Sequence, residues 1–304
     1  MTKVNWSGVM PALATPFDPD GSVDKEKLHS LIDLLFSEGV SGLVVGGSTG
    51  EYYSMTPAER AELFETVFSH VAGRGTLIAG VSSTNHAETL DLTRTAKQSG
   101  YDGCMVLPPV YCLPTPSEIV KVFEEVAGIG LPVMVYNNPA RVGVALSPAL
   151  TTKLSSIPNV VAYKESARDL YAVSELYYAT RDEISHFAGL EPYGSALLSR
   201  GAKGIVSTIS NVCAREVVNY YKAFQDKDLD ALSRNQQVID EIYHLLGQSG
   251  LANFAFVKGA MTALGRPGGL TRAPHVMPDE AQIRKIGAAI EAIYNRAGIE
   301  RTKR

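Results

Sequence analysis

Cysteine is scarce, with three among 304 residues (Cys104, Cys112 and Cys213). An odd, sparse set without metal-ligand spacing excludes a disulfide scaffold or a zinc module. Unpaired cysteines of this kind are usually small buried hydrophobes in a reducing compartment. A strong excess of one charge is missing too. The formal net charge of −4 leaves no basic footprint, which argues against a nucleic-acid partner. No apolar run approaches the roughly 18 residues a membrane span needs, and Met1 to Val9 lack the charged-then-apolar pattern of a secretory signal. The six histidines show no convincing metal spacing with cysteine or acidic residues, so no metal is expected. A G-x-x-x-x-G-K-[ST] phosphate loop is absent, because Glu51 stands where its lysine would be. A composition of 45% hydrophobic and 20% charged residues suits a soluble, cytoplasmic globular enzyme with neither membrane nor nucleic-acid partners.

Short apolar runs alternate with helical patterns. The first strand candidate is Val9-Met10-Pro11-Ala12-Leu13-Ala14-Thr15, followed by a helical spacing over residues 23–38 (Leu28, Leu31, Ile32, Leu35) that Gly39 closes. Gly42-Leu43-Val44-Val45-Gly46 is the second strand. After the loop Gly47-Ser48-Thr49-Gly50-Glu51, Thr56-Pro57-Ala58-Glu59 opens a helix with a cap, a proline and an acid in the first turn. The rhythm repeats until eight strands are counted, the last being Gly204-Ile205-Val206-Ser207. Continuous apolar strands separated by helices imply a parallel sheet covered on both faces. Eight such units in this length predict an α/β fold, a (β/α)8 TIM barrel over residues 1–226. Residues 227–304 read as a C-terminal helical extension packed on the barrel.

In such barrels the chemistry sits at the C-terminal ends of the strands. Collecting those ends gives Thr15, Ser48, Thr49, Tyr111, Tyr136, Lys164 and Gly189. Lys164 is the most informative. It closes the run Asn159-Val160-Val161-Ala162-Tyr163, and alternation places Val160, Ala162 and Lys164 on one side with Val161 and Tyr163 on the other. A lysine aimed into an apolar interior is costly to keep charged, so a lowered pKa and a free amine are expected, as carbonyl chemistry requires. The competing reading is a strand-end lysine that snorkels to water. Tyr136, just before Asn137-Asn138-Pro139-Ala140-Arg141, offers a buried phenol for proton transfer. Arg141 could clamp a carboxylate, although a core tyrosine and a surface arginine are the plainer readings. Gly46-Gly47-Ser48-Thr49-Gly50 permits a carboxylate-binding nest of backbone N–H groups. It also satisfies the G-x-S-x-G elbow of serine hydrolases. That second reading would need an acid and a late histidine such as His244 or His275. A tight turn without chemistry is the third reading.

Together, Gly46-Gly47-Ser48-Thr49-Gly50-Glu51, Pro109-Val110-Tyr111, Tyr136-Asn137-Asn138-Pro139 and Tyr163-Lys164-Glu165-Ser166 resemble, in the right order and over nearly the whole chain, the dihydrodipicolinate synthase/N-acetylneuraminate lyase superfamily of class I aldolases. The resemblance implies a dimeric or tetrameric barrel enzyme without metal or organic cofactor. Lys164 would form an imine with pyruvate or another 2-oxo acid, and Tyr136 would act as general acid/base. Ser48 and Tyr111 would complete a hydroxyl relay. Ser48, Thr49, Gly189 and Ile205 would contact the 2-oxo acid, and Arg141 the carboxylate of a second substrate. It implies either a dihydrodipicolinate-synthase-like condensation with an aldehyde such as aspartate semialdehyde, or a catabolic aldolase, dehydratase or deaminase of 2-oxo-3-deoxy sugar acids. Val110-Tyr111, Cys112-Leu113, Leu190-Glu191, Tyr52 and Ser166-Ala167-Arg168 depart from the synthase pattern and resemble the catabolic branches. A 2-oxo-acid sensor that has lost turnover is a further alternative.

Overall fold

The computed structural model describes residues 4–300. Its first half runs β1 (Gly8–Pro11), α1 (Lys25–Ser37), β2 (Gly42–Val45), α2 (Pro57–Val71), β3 (Thr76–Gly80), α3 (His86–Ser99), β4 (Gly103–Val106) and α4 (Pro116–Gly128). Next come β5 (Val133–Asn137), α5 (Pro139–Val142), α6 (Pro148–Ser155), β6 (Val160–Glu165), α7 (Leu170–Thr180), β7 (Ser185–Ala188), α8 (Gly194–Leu198) and β8 (Gly204–Ser207). The chain ends with α9 (Ser210–Asp226), α10 (Leu229–Gln248), α11 (Asn253–Ala263) and α12 (Glu280–Ala297). All strand pairings are parallel, in the order β1-β8-β7-β6-β5-β4-β3-β2. A bridge from Ala12 to Val44 joins the first strand to the second and closes the ring. The fold is a (β/α)8 barrel with C-terminal helices.

Local chemistry sets the element ends. Thr56 and Thr115 each form a reciprocal capping box with a glutamate three residues on, and a proline takes the first helical position in both α2 and α4. Gly100 ends α3 in the left-handed conformation that glycine adopts without strain.

Two apolar layers form the core. One fills the barrel lumen with side chains from each strand, among them Met10, Val44, Ile78, Met105, Met134, Ala162, Phe187 and Val206. The other lies between strands and helices and runs on without a break to Val238, Ile242, Phe256 and Ile290 of the C-terminal helices. These layers correct two readings of the sequence. Ile205 belongs to the outer layer, so its side chain faces the helices rather than the barrel mouth. Strand β6 does not alternate strictly either. Val133 pairs with Val160 and Met134 with Ala162, so Val161 is an inserted residue and joins the lumen layer beside Ala162. A bulge of this kind resets the face on which every later residue points. Lys164 is thereby delivered to the lumen side, one register position from the end of the strand.

Candidate active site

The strand ends open into a cavity of about 330 Å³. Lys164 and Tyr136 lie together at its floor. They are Cα partners across β6 and β5, both are buried, and Lys164 Nζ stands 4.0 Å from the centre of the phenol ring. Asn138 donates to the Tyr136 hydroxyl at 2.7 Å. Burial alone would raise the phenol, but the charge of Lys164, the nearby hydroxyl of Ser166, the Asn138 amide and the charge of Arg141 outweigh it. Tyr136 therefore titrates below its ordinary value. A phenol of this kind, against an amine, can take and return a proton within the cavity.

The surroundings hold this pair in place. Glu165 faces away from Lys164 and accepts from Asn137 Nδ2 at 3.0 Å and from the Tyr163 hydroxyl at 2.9 Å, while Asn137 Oδ1 accepts from the amide of Leu146. This network ties the ends of β5 and β6 together. Gly189, at the end of β7, has no room for a side chain. A Cβ there would lie 2.1 Å from Ser166 Oγ and 3.0 Å from Lys164 Cε. Ser166 Oγ is buried near the phenol yet makes no well-formed hydrogen bond within the chain.

Ser48 and Thr49 line the cavity from a single tight turn, Ser48–Gly50. The amides of Gly50 and Glu51 bond back to Gly47 and Ser48, so the turn itself offers no acceptor to the amides of Ser48 and Thr49. Thr49 Oγ1 lies 3.1 Å from Thr208 Oγ1. Behind the turn is a feature the sequence did not disclose. Glu51 adopts a left-handed backbone and buries its carboxylate 2.6 Å from Lys258 Nζ. Lys258 also donates to the carbonyls of Thr15 and Leu270 at 2.7 and 2.5 Å. Burial lowers this lysine to about 8 against the opposing pull of Glu51. The only hint was a lone lysine inside the apolar run Phe254-Ala255-Phe256-Val257-Lys258-Gly259-Ala260-Met261 of α11.

Arg141 also lines the cavity, with its guanidinium 4.8 Å from the centre of the Phe254 ring. Arg168 lines it from the loop after β6, and Tyr243 reaches it from α10. The Tyr243 hydroxyl donates to Glu191, a fully buried carboxylate that also accepts from Ser207 Oγ and the amide of Ile209. Arg141 is where the sequence reading expected it, on the cavity wall, whereas Arg168 and Tyr243 were not singled out as contributors, because strand-end reasoning does not reach loops and helices folded back over the mouth. Tyr111 is the converse case. It is 92% exposed and absent from the cavity wall, so this chain does not bring it to Lys164. The hydrolase reading fares worse: His275 pairs with the Tyr53 hydroxyl at 2.7 Å, and neither it nor His244 bonds Ser48. Among the described residues, no group of three or more His, Cys, Asp or Glu side chains could hold a metal ion, and no helix is long and apolar enough to cross a membrane.

Fold and cavity together define a (β/α)8 barrel that buries a lysine–tyrosine pair at its strand ends. The chain belongs to the dihydrodipicolinate synthetase family, whose model matches residues 5–293. It is 47% identical over 284 residues to an uncharacterized DapA-like lyase of Rhizobium meliloti, covering 93% of this chain and 95% of that one. It is 35% identical to the 4-hydroxy-tetrahydrodipicolinate synthase of Methanoculleus marisnigri, over 92% of this chain and 98% of the relative. Among solved structures, the prophage protein YagE of E. coli K12, of the dihydrodipicolinic acid synthase family and in complex with pyruvate, superposes with a TM-score of 0.90 at 28% identity, over 95% and 98% of the two chains.

Proposed function

We propose that this protein is a class I lyase or synthase that binds pyruvate or a related 2-oxo acid as a Schiff base on Lys164. The observation that carries the reading is the buried contact of Lys164 Nζ with the Tyr136 ring at the floor of the cavity. The amine adds to the 2-oxo carbon, and loss of water from the carbinolamine leaves an imine. Tyr136 relays the protons of both steps, with Ser48 beside it on the cavity wall. The amides of Ser48 and Thr49, which the turn's own hydrogen bonds leave unused, hold the 2-oxo acid's carboxylate. The protonated imine accepts the electron pair of the adjacent C–H bond as Tyr136 takes that carbon's proton, which gives an enamine, so the protein's own lysine supplies the electron sink. The enamine carbon then attacks an aldehyde, whose oxygen takes up a proton. Water releases the product and restores the amine. Cleavage runs the same steps in reverse.

We read the reaction as synthase-like condensation of pyruvate with an aldehyde. Support comes from the synthases among its relatives, from a pyruvate-bound neighbour of the same fold, and from Arg141 at the cavity mouth. A second reading, cleavage or dehydration of a 2-oxo acid, is favoured by Leu190, an apolar side chain on the cavity wall beside Gly189. The reading includes a homo-oligomer. Its support is the loop after β4, where Tyr111 and Leu113 are 92% and 63% exposed on backbone with φ of 74° and 51°. Large side chains held out in a strained conformation suit a surface that another copy covers.

Borohydride reduction in the presence of pyruvate should add one pyruvate-sized mass at Lys164, and Lys164→Ala should take up none. Equal labelling of the alanine variant would overturn the assignment.

A further inference from the structure

The turn that presents the amides of Ser48 and Thr49 does not hold its own shape. Glu51, the residue that closes it, sits at a φ of 56°. That conformation is costly for a residue with a side chain and persists only where the surroundings impose it. Here they do. Glu51 is fully buried, and its carboxylate meets Lys258 Nζ of α11 at 2.6 Å, with the amide of Arg272 3.2 Å from the other oxygen. Lys258 Nζ donates as well to the carbonyl of Thr15, whose hydroxyl donates to the carbonyl of Gly50 at 2.9 Å. One ammonium thus reaches the turn twice, through the side chain that follows it and through the segment after β1 that braces it. Both partners are shut away from water, so salt screens their attraction little, and losing either charge leaves the other uncompensated. Among the described residues, the charged groups that act on Lys258 are Glu51 from the turn and Arg272 from the loop before α12. Arg272 pairs with Glu59 of α2 and shares the Phe17 ring with the lysine.

Building on the Schiff-base reading above, we infer that Lys258 and Glu51 are positioning residues for the 2-oxo acid: their charged contact holds the turn in the shape that aims the amides of Ser48 and Thr49 at the carboxylate. Neither side chain lines the cavity, so each acts through the turn. When Lys258 gives up its proton, Glu51 is left buried without its cation and the left-handed backbone loses its main support. Burial brings that loss into a moderate range, lowering the lysine to about 8 against the pull of Glu51. The sign follows: affinity for the carboxylate falls as pH rises through that point. By reciprocity, binding of the anion favours the charged lysine and takes up a proton.

The test titrates pyruvate into the full-length Lys164→Ala variant by NMR, so that no imine forms and the carboxylate contact is read directly. Affinity should be level between pH 6 and 7 and about tenfold weaker at pH 9.5, the scale of one lost hydrogen bond to a charged group. In the same background, Glu51→Gln should already bind about tenfold more weakly at pH 7 and show no step near pH 8, because the lysine loses the carboxylate that held its proton. Lys258→Met should behave likewise, and thermal melts establish that each variant is folded. The Lys164→Ala profile needs neither of these substitutions: affinity that stays level through pH 9.5 would overturn the inference. A Glu51→Gln profile parallel to it would do the same, by placing the titration on another group such as Tyr136. Borohydride trapping of pyruvate on the unaltered enzyme runs alongside. Failed trapping removes the Schiff-base reading, whereas intact trapping with a level affinity removes only the role of Lys258 and Glu51.

Discussion

A single missing carbon sets the position of the reactive amine. Lys164 Cε passes so close to Gly189 that a methyl group there would have to displace it, along with Ser166 Oγ and the carbonyl of Glu165. The carbonyl cannot yield, because it already accepts from the Gly189 amide at 2.7 Å. Gly189→Ala should therefore shift the backbone at the end of β7 and move the amine with it, at a cost in stability that a thermal melt would read. Displacements of this order cost about a hundredfold in rate when reacting atoms must meet closely, so the rate of imine formation with pyruvate should fall by about that factor. Stopped-flow absorbance or timed borohydride quenching would measure it, and an unchanged rate would show that Gly189 does not confine the lysine. Lys164, Tyr136 and Gly189 were legible in the sequence because strand ends converge in any barrel of this kind. Ser166 and Arg168 were visible only as departures from a pattern, because nothing in a one-dimensional run tells which loop residues fold back over a mouth.

At the scale of elements, the helices were more legible than the strands. The spacing over residues 23–38 and the cap at Thr56-Pro57-Ala58-Glu59 are signals that act over one or a few turns, and the helices α1 (Lys25–Ser37) and α2 (from Pro57) follow them to within two residues. The strand β6 was read with the wrong phase at its start, since an inserted residue depends on the neighbouring strand and leaves no local trace. Its pairing with β7 buries His186 between the rings of Tyr163 and Tyr177, with Nε2 2.8 Å from Thr180 Oγ1 on α7. Burial lowers this imidazole to about 4 from an ordinary 6.5. The unfolded chain thus binds the proton more readily than the folded one throughout that window, and folding stability must decline as pH falls from 6.5 towards 4. The loss attributable to His186 should be on the order of 2–3 kcal/mol once the window is crossed. Thermal melts at pH 7, 6, 5 and 4 would read it as a falling Tm. A His186→Gln variant should show a shallower decline, and parallel slopes in the two proteins would place the sensitivity elsewhere.

Over the whole molecule, what counts is which distant parts are fastened together. The Glu51–Lys258 pair fixes the turn that carries Ser48 and Thr49 to a helix of the C-terminal extension, and Arg272 adds a backbone amide to the same carboxylate. A barrel with helices after it was readable from periodicity, but this fastening was not, because it joins residues from opposite ends of the chain. The same reasoning applies between copies. Tyr111 carries a hydroxyl suited to the proton relay, yet its own cavity excludes it, and its backbone is held at a φ of 74° with the ring in solvent. If a neighbouring protomer receives that ring, two defective variants should repair one another. Lys164→Ala lacks the amine but still lends Tyr111, and Tyr111→Phe lacks the hydroxyl but keeps Lys164. In a dimer formed from one of each, the cavity of the second variant regains both groups. Random reassembly of an equal mixture should then recover about a quarter of the unaltered activity, since half the dimers are mixed and half their sites complete. Activity no greater than the average of the two variants alone would mean that Tyr111 serves no neighbouring site, and the relay would have to be completed without it.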